Sequence, residues 1–135
     1  MDLTVRSETL SSGDQSWLAS AHGTNAGRTI TLDKSAFTAN THYPDGFFKS
    51  GLALTRITAT GKYGPYTNAG AGTGDVLAGF LLDSPSVPAD DVDPQGVLLD
   101  HGIILESRLP TPWKQTNDAV ETDGKADVAG RIIFR

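Results

Sequence analysis

Apolar residues in this 135-residue chain arrive in short bursts, RTITLD, LALTRITATG, DVLAGFLLD, VLLDHGIILE and RIIF, each bounded by Gly, Pro or a charged residue. An amphipathic helix needs apolar spacing of three and four sustained over ten or more residues, and such punctuation interrupts it; a strand needs only four to eight. Gly, Thr, Asp and Ala are prominent, and there are 15 Gly, 7 Pro and a single Met. That composition suits turns and strands. The length is that of one ordinary domain, which buries a real core. A mainly β, single-domain protein is the expectation.

The totals also exclude function classes. Eleven basic residues against 16 acidic ones give a formal charge of −5, and the basic residues are scattered singly. A nucleic-acid binder needs clustered Lys and Arg to neutralise phosphates, so no nucleic-acid partner is expected. No apolar run is long enough to span a bilayer, and MDLTVRSETL lacks the basic start and apolar middle of a secretion signal; no membrane partner is expected, and synthesis in the cytoplasm is. The absence of cysteine removes disulfides and thiolate metal sites from consideration.

Along the chain, Leu3 and Val5 alternate with Asp2, Thr4, Arg6 and Glu8, the pattern of a strand. The loop-forming run SSGDQS follows, so this strand reads as an arm that completes its hydrogen bonds at a sheet edge, its own or another chain's. Trp17, between loop segments and beside the arm, is the aromatic residue best placed to anchor an interface. RTITLD is a strand with Ile30 and Leu32 on one face, and Pro44, Asp45 and Gly46 make a tight turn into Phe47 and Phe48. In LALTRITATG the inward parity of Leu52 and Leu54 does not carry to Ile57, which predicts a bulge or bend near Thr55. Val76 to Leu82 reads as a buried strand, and SPSVPADDVDPQG as a solvent-facing acidic loop. VLLDHGIILESRLP is a strand, or two strands broken at Asp100 to Gly102, with Ile103 and Leu105 on one face. TPWKQTNDAV is the plausible helical region, with Trp113, Asn117 and Val120 at helical spacing, and AGRIIFR a terminal strand docked in the sheet with Ile132 and Phe134 on one face.

Searches for chemistry return little. GAGTG would need a following helix to cradle phosphate, and the strand-like DVLAGFLLD denies it one. DVDPQG begins like a calcium loop at Asp91 and Asp93, then fails: Gln95 stands at position five, Pro94 at position four and Gly102 where the bidentate Glu belongs. His22, His42 and His101 lie far apart without metal-site spacing, and His101 and Asp100, as strand neighbours, point to opposite faces. There is no G-x-S-x-G and no Cys nucleophile. No catalytic residue, metal site or cofactor is therefore expected. Tyr43, Phe47, Phe48, Tyr63, Tyr66 and Trp113 fill a core by default, or line a sugar-binding platform if Tyr63 and Tyr66 are exposed in their turn.

One resemblance orders these segments. SGLALTRITATGKYGPYTNAGAGTGDVLAGFLLD resembles the head decoration proteins of tailed bacteriophages, the family of the lambda head decoration protein D. That family has a small-residue strand, a T-G-K-Y-x-P-Y-like turn (here Thr60 to Tyr66), a variable glycine- and alanine-rich loop (Asn68 to Gly74) and an A-V-G-I-L-like strand (Leu77 to Leu82). HYPDGFFKSG upstream and HGIILESRLP and AGRIIFR downstream are similar to its lead-in and last strands. The likeness runs from His42 to the C-terminus; the part through Asn40 departs from the pattern, so arm contacts do not transfer by position. The resemblance implies a small β-barrel or β-roll-like domain with one short helical segment and an extended N-terminal arm, divided as a capsid-docking arm over residues 1–20 and a body over 21–135. It implies a non-catalytic virion protein on the outer capsid surface. Homotrimers would bind the major capsid protein at three-fold and quasi-three-fold positions and stabilise the expanded shell against packaged DNA. Leu3, Thr4, Val5, Arg6 and Leu10 of the arm, with Trp17 and Leu18 as anchors, are the expected capsid-binding residues. The alternative from another class is a carbohydrate- or host-surface-binding β module of a phage fibre or adhesin.

Overall fold

The computed structural model describes residues 14–67, 76–110, 113 and 124–135. Strands β1 (Arg28–Thr31), β2 (Ala53–Arg56), β3 (Tyr63–Pro65), β4 (Gly79–Leu81) and β5 (Gln95–Leu99) form one sheet in the order β1-β5-β4-β2-β3. Every pairing in it is antiparallel. Strands β6 (Gly102–Ile104) and β7 (Ile132–Phe134) form a second, parallel pair. Among the described residues, helix is confined to one turn, α1 (Ala39–His42), a turn at 124–127 and three 3-10 turns. The fold is mainly β.

Pleating explains why the central strands read as continuous apolar runs. Phe80 pairs with Leu99 and Leu81 with Leu98, so the two pairs project from opposite faces. Phe80 and Leu99 join a cluster with Trp17, Tyr66, Leu77, Ile104, Trp113, Val128 and Ile132. Leu81 and Leu98 join a second cluster with Ile30, Leu32, Phe37, Phe48, Leu52, Leu54 and Tyr63. Both faces of β4 are thus covered and all three of its residues are buried, each large side chain contributing about 1.5–3 kcal/mol by its burial. The sheet also rolls. Just past β1, Leu32 bridges Tyr63 of the opposite edge strand, and the Asp33 N–H donates to the Tyr63 carbonyl at 2.8 Å. Among the described residues the two edges meet through this one bridge, so the sheet is a roll and not a fully closed barrel.

Several segments follow the sequence expectation. Ile30 and Leu32 are buried together, and the Gly46 N–H closes the turn onto the Tyr43 carbonyl at 3.3 Å with Gly46 at φ 87°. The acidic and prolyl segment after β4 is a loop, and β5 and β6 separate at Asp100 and His101. Others are corrected. Thr55 pairs with Gly64 in regular register, so there is no bulge; parity is lost at Ile57 because β2 ends at Arg56 and a hairpin turn begins, with Ile57 N–H donating to the Lys62 carbonyl at 2.8 Å. On β6 the buried face carries Gly102 and Ile104, not Ile103 and Leu105, because Ile104 packs into the first cluster. The terminal strand pairs with β6 outside the main sheet, with Ile132 buried and Ile133 exposed. The helix expected over TPWKQTNDAV and the glycine-rich loop after Tyr66 fall outside the described residues, apart from Trp113, which is buried.

Candidate functional site

The first described residues, 14–20, fall within the segment expected as the arm. Asp14 accepts from the Ser16 N–H at 3.1 Å, a bond that, with Arg108 nearby, holds its carboxyl below the usual carboxylate range. A tight turn follows, closed by Leu18 N–H to the Gln15 carbonyl at 3.0 Å. The chain then meets β6 through a single antiparallel bridge: Leu18 bridges Ile104, Ala19 N–H donates to the Ile103 carbonyl at 3.0 Å, and Leu105 N–H to the Trp17 carbonyl at 2.6 Å.

Trp17 fixes this segment. Its side chain is 1% exposed, tilted against Phe80 at 6.2 Å between ring centroids, and its Nε1–H donates to Ser50 Oγ at 3.0 Å. Ser50 in turn donates to the Leu82 carbonyl at 2.8 Å, which also accepts from Gln15 Nε2 at 2.8 Å. Gly51 lies beneath the indole at φ 92°, where an added Cβ would sit 3.0 Å from Trp17 Nε1 and 2.9 Å from Pro110 Cδ. The expectation that Trp17 seats the body on a partner is corrected: the indole is enclosed by its own chain and anchors the N-terminal segment to the core. Leu18 is half-buried. Residues 15–19 belong to the body, although the arm was drawn through residue 20; Leu3, Thr4, Val5, Arg6 and Leu10 lie outside the described residues. Beside this segment opens a cleft of about 300 Å³ with a mixed-charge wall, lined among others by Asp14, Asp45, Phe47, Lys49 and Arg108.

A larger cleft of about 520 Å³ lies between the 3-10 turn at Lys34–Ala36, the β2–β3 hairpin and the acidic loop, with Asp33, Lys34, Phe37, Tyr43, Lys62, Asp91 and Asp93 on its walls. Its charges are mostly occupied in holding the loop down. Lys34 Nζ donates to the carbonyls of Pro88 and Asp90 at 2.5 and 2.8 Å. Asp93 accepts from the Lys34 N–H at 3.0 Å and pairs with Lys62 at 2.6 Å. The Lys62 bond, ahead of the Lys34 N–H, lowers the Asp93 pKa, and Asp93 raises that of Lys62. Both carboxylate oxygens of Asp93 are thus engaged by lysine residues of the body.

The remaining candidates sort by burial. Tyr63 and Tyr66 are 7% and 2% exposed, so their turn does not present them to solvent. His42 is buried, its Nδ1 accepting from the Thr38 N–H at 2.9 Å, and burial lowers its pKa. Asp100 turns to Arg28, Oδ2 to Nε 3.1 Å. His22 and His101, 79 residues apart, are brought face to face with Nε2 atoms 2.7 Å from one another. No local spacing could have announced that pair. Among the described residues no group of three or more His, Cys, Asp or Glu gathers as a metal centre, and no helix is long and apolar enough to cross a membrane. No protein-family model matches the chain, and neither the curated proteins nor the solved structures offer a significant match.

Proposed function

We propose that this protein decorates the head of a tailed bacteriophage, binding the outer surface of the expanded capsid as trimers at three-fold and quasi-three-fold positions and stabilising the shell against packaged DNA. The observation that carries the reading is the order of its segments: the HYPDGFFKSG lead-in, the strand and TGKYGPY turn, the LAGFLL strand, HGIILESRLP and the terminal AGRIIFR stand in the order of the decoration family. In the fold they correspond to the turn before β2, the β2–β3 hairpin, β4, β6 and β7.

The root of the N-terminal segment supports a docking role for the arm. Trp17 and the bridge at Leu18 fix the chain to the body, so a strand-forming arm upstream has a rigid attachment from which to pair with the edge of a capsid-protein sheet. One short strand binds weakly, but three arms on one trimer engage three sites at high effective concentration. Capsid contact then resides in Leu3, Thr4, Val5, Arg6 and Leu10, while Trp17 acts indirectly by holding the root. Deleting residues 2–10 tests this. The truncated protein is expected to keep the thermal unfolding of the full chain, because the deletion stops short of Asp14, and to lose capsid binding. Saturation of capsids by the truncated protein would overturn the assignment of docking to the arm.

A further inference from the structure

We propose that His22 and His101 form a two-imidazole site for a divalent transition-metal ion with ninety-degree ligand preferences, copper(II) or nickel(II). The two Nε2 atoms lie 2.7 Å apart, the ring planes inclined at 52° with centroids 4.7 Å apart, so both ring nitrogens are within reach of a single ion. Both side chains are exposed, which opens the pair to ions from solvent and leaves the other coordination positions to water.

The juxtaposition is built into the backbone. Gly23 is at φ 82° with no room for a side chain, since an added Cβ would collide with the His101 carbonyl oxygen. Reciprocally, a Cβ on Gly102 would lie 3.0 Å from the His22 carbonyl oxygen. The residue following each histidine is thus a glycine packed against the backbone of the other. Ser20 Oγ accepts from the His22 N–H at 3.2 Å, and the Ala19 and Thr24 N–H groups hold the segment on either side. The two backbone segments that carry the imidazoles are therefore fixed against each other before any ion arrives.

The spacing selects the metal. With metal–nitrogen bonds of about 2.0–2.1 Å, two imidazoles in cis positions of a square-planar or octahedral ion stand about 2.9 Å apart, and in tetrahedral zinc about 3.3–3.4 Å. The observed 2.7 Å needs to open by only about 0.2 Å for the first geometry and about three times as much for the second. In the metal-free pair one Nε2 donates its hydrogen to the other; coordination moves that hydrogen to Nδ1 of the same ring and frees both Nε2 lone pairs, with no net loss of a proton between neutral rings. The third histidine does not compete, because His42 is buried with Nδ1 engaged by Thr38. An ion here links the segment that follows the arm's root to the corner between β5 and β6, and this inference stands independently of the capsid reading.

The test is copper(II) and nickel(II) titration of the tag-free full-length protein, with electron paramagnetic resonance of the copper form, repeated on His22→Gln and His101→Gln. Expected are one ion per chain, hyperfine coupling to two imidazole nitrogens, a rise in unfolding temperature that saturates with nickel, and at least a tenfold loss of affinity in each variant. Because both side chains are exposed, both variants are expected to unfold like the parent without metal. Binding that survives unchanged in either variant, or a copper spectrum with coupling to fewer than two imidazoles, would overturn the site.

Discussion

Replacing Trp17 by Ala separates an internal anchor from an interface residue. The indole is 1% exposed and in contact distance of Phe80 and Gly51, so its removal leaves a cavity that the rolled sheet cannot close. Truncation of a buried large aromatic costs about 3–5 kcal/mol. The lost bond to Ser50 adds at most about 1 kcal/mol, because Ser50 keeps its own acceptor at the Leu82 carbonyl. That is a large part of the about 5–15 kcal/mol that holds a typical domain. At a urea slope of about 2 kcal/mol per molar, a loss of about 4 kcal/mol moves the unfolding midpoint down by roughly 2 M. Trp17→Phe, which keeps most of the ring and loses the Nε1–H, should cost only about 1–2 kcal/mol. Trp113, the other tryptophan and also buried, remains as the fluorescent reporter. A midpoint shift below about 0.5 M for Trp17→Ala, the size expected of an exposed aromatic, would refute the enclosed position and return the residue to a partner-facing role.

Two further predictions concern the supports of the clefts. Gly51→Ala forces a side chain into φ 92° against the Trp17 indole; a loss of about 1–3 kcal/mol is expected from the backbone conformation alone, read as a lowered urea midpoint, and an unchanged midpoint would contradict the packing. The Asp93–Lys62 pair sets a pH dependence: the Asp93 pKa is depressed in the fold, so its stabilisation is present above the ordinary carboxylate range and is lost as pH falls through the folded value. The Lys62 pKa is raised, so its contribution is present below the ordinary lysine range and is lost as pH rises through the folded value. The stability difference between the parent and Asp93→Asn should accordingly narrow on acidification from pH 7 to pH 3, and a constant difference would contradict the pair.

What the sequence disclosed follows the range of the interactions involved. The buried run was readable at Gly79–Leu81, because a strand covered on both faces must be apolar at every position, although Val76, expected in the same buried strand, is exposed; Gly46 was readable because a tight turn with positive φ is written in adjacent residues. Parity at β6 was not readable: whether Ile103 or Ile104 faces inward depends on the distant partners Trp17 and Ile132. Trp17 was misplaced for the same reason, since a tryptophan flanked by loops looks exposed until Ser50, Gly51 and Phe80 close over it. The histidine pair depends on two reciprocal glycine contacts across 79 residues, a coincidence of fold and not of spacing. The acidic loop was recognised as a loop, but its fastening by Lys34 and Lys62 appears only once the chain has folded.

The most direct measurement of the central claim is co-sedimentation of the purified protein with expanded, undecorated phage capsids, followed by a count of copies per major capsid protein. Decoration by trimers at every three-fold and quasi-three-fold position predicts saturation near one copy per capsid protein. Absence of binding to the cognate expanded capsid would contradict it.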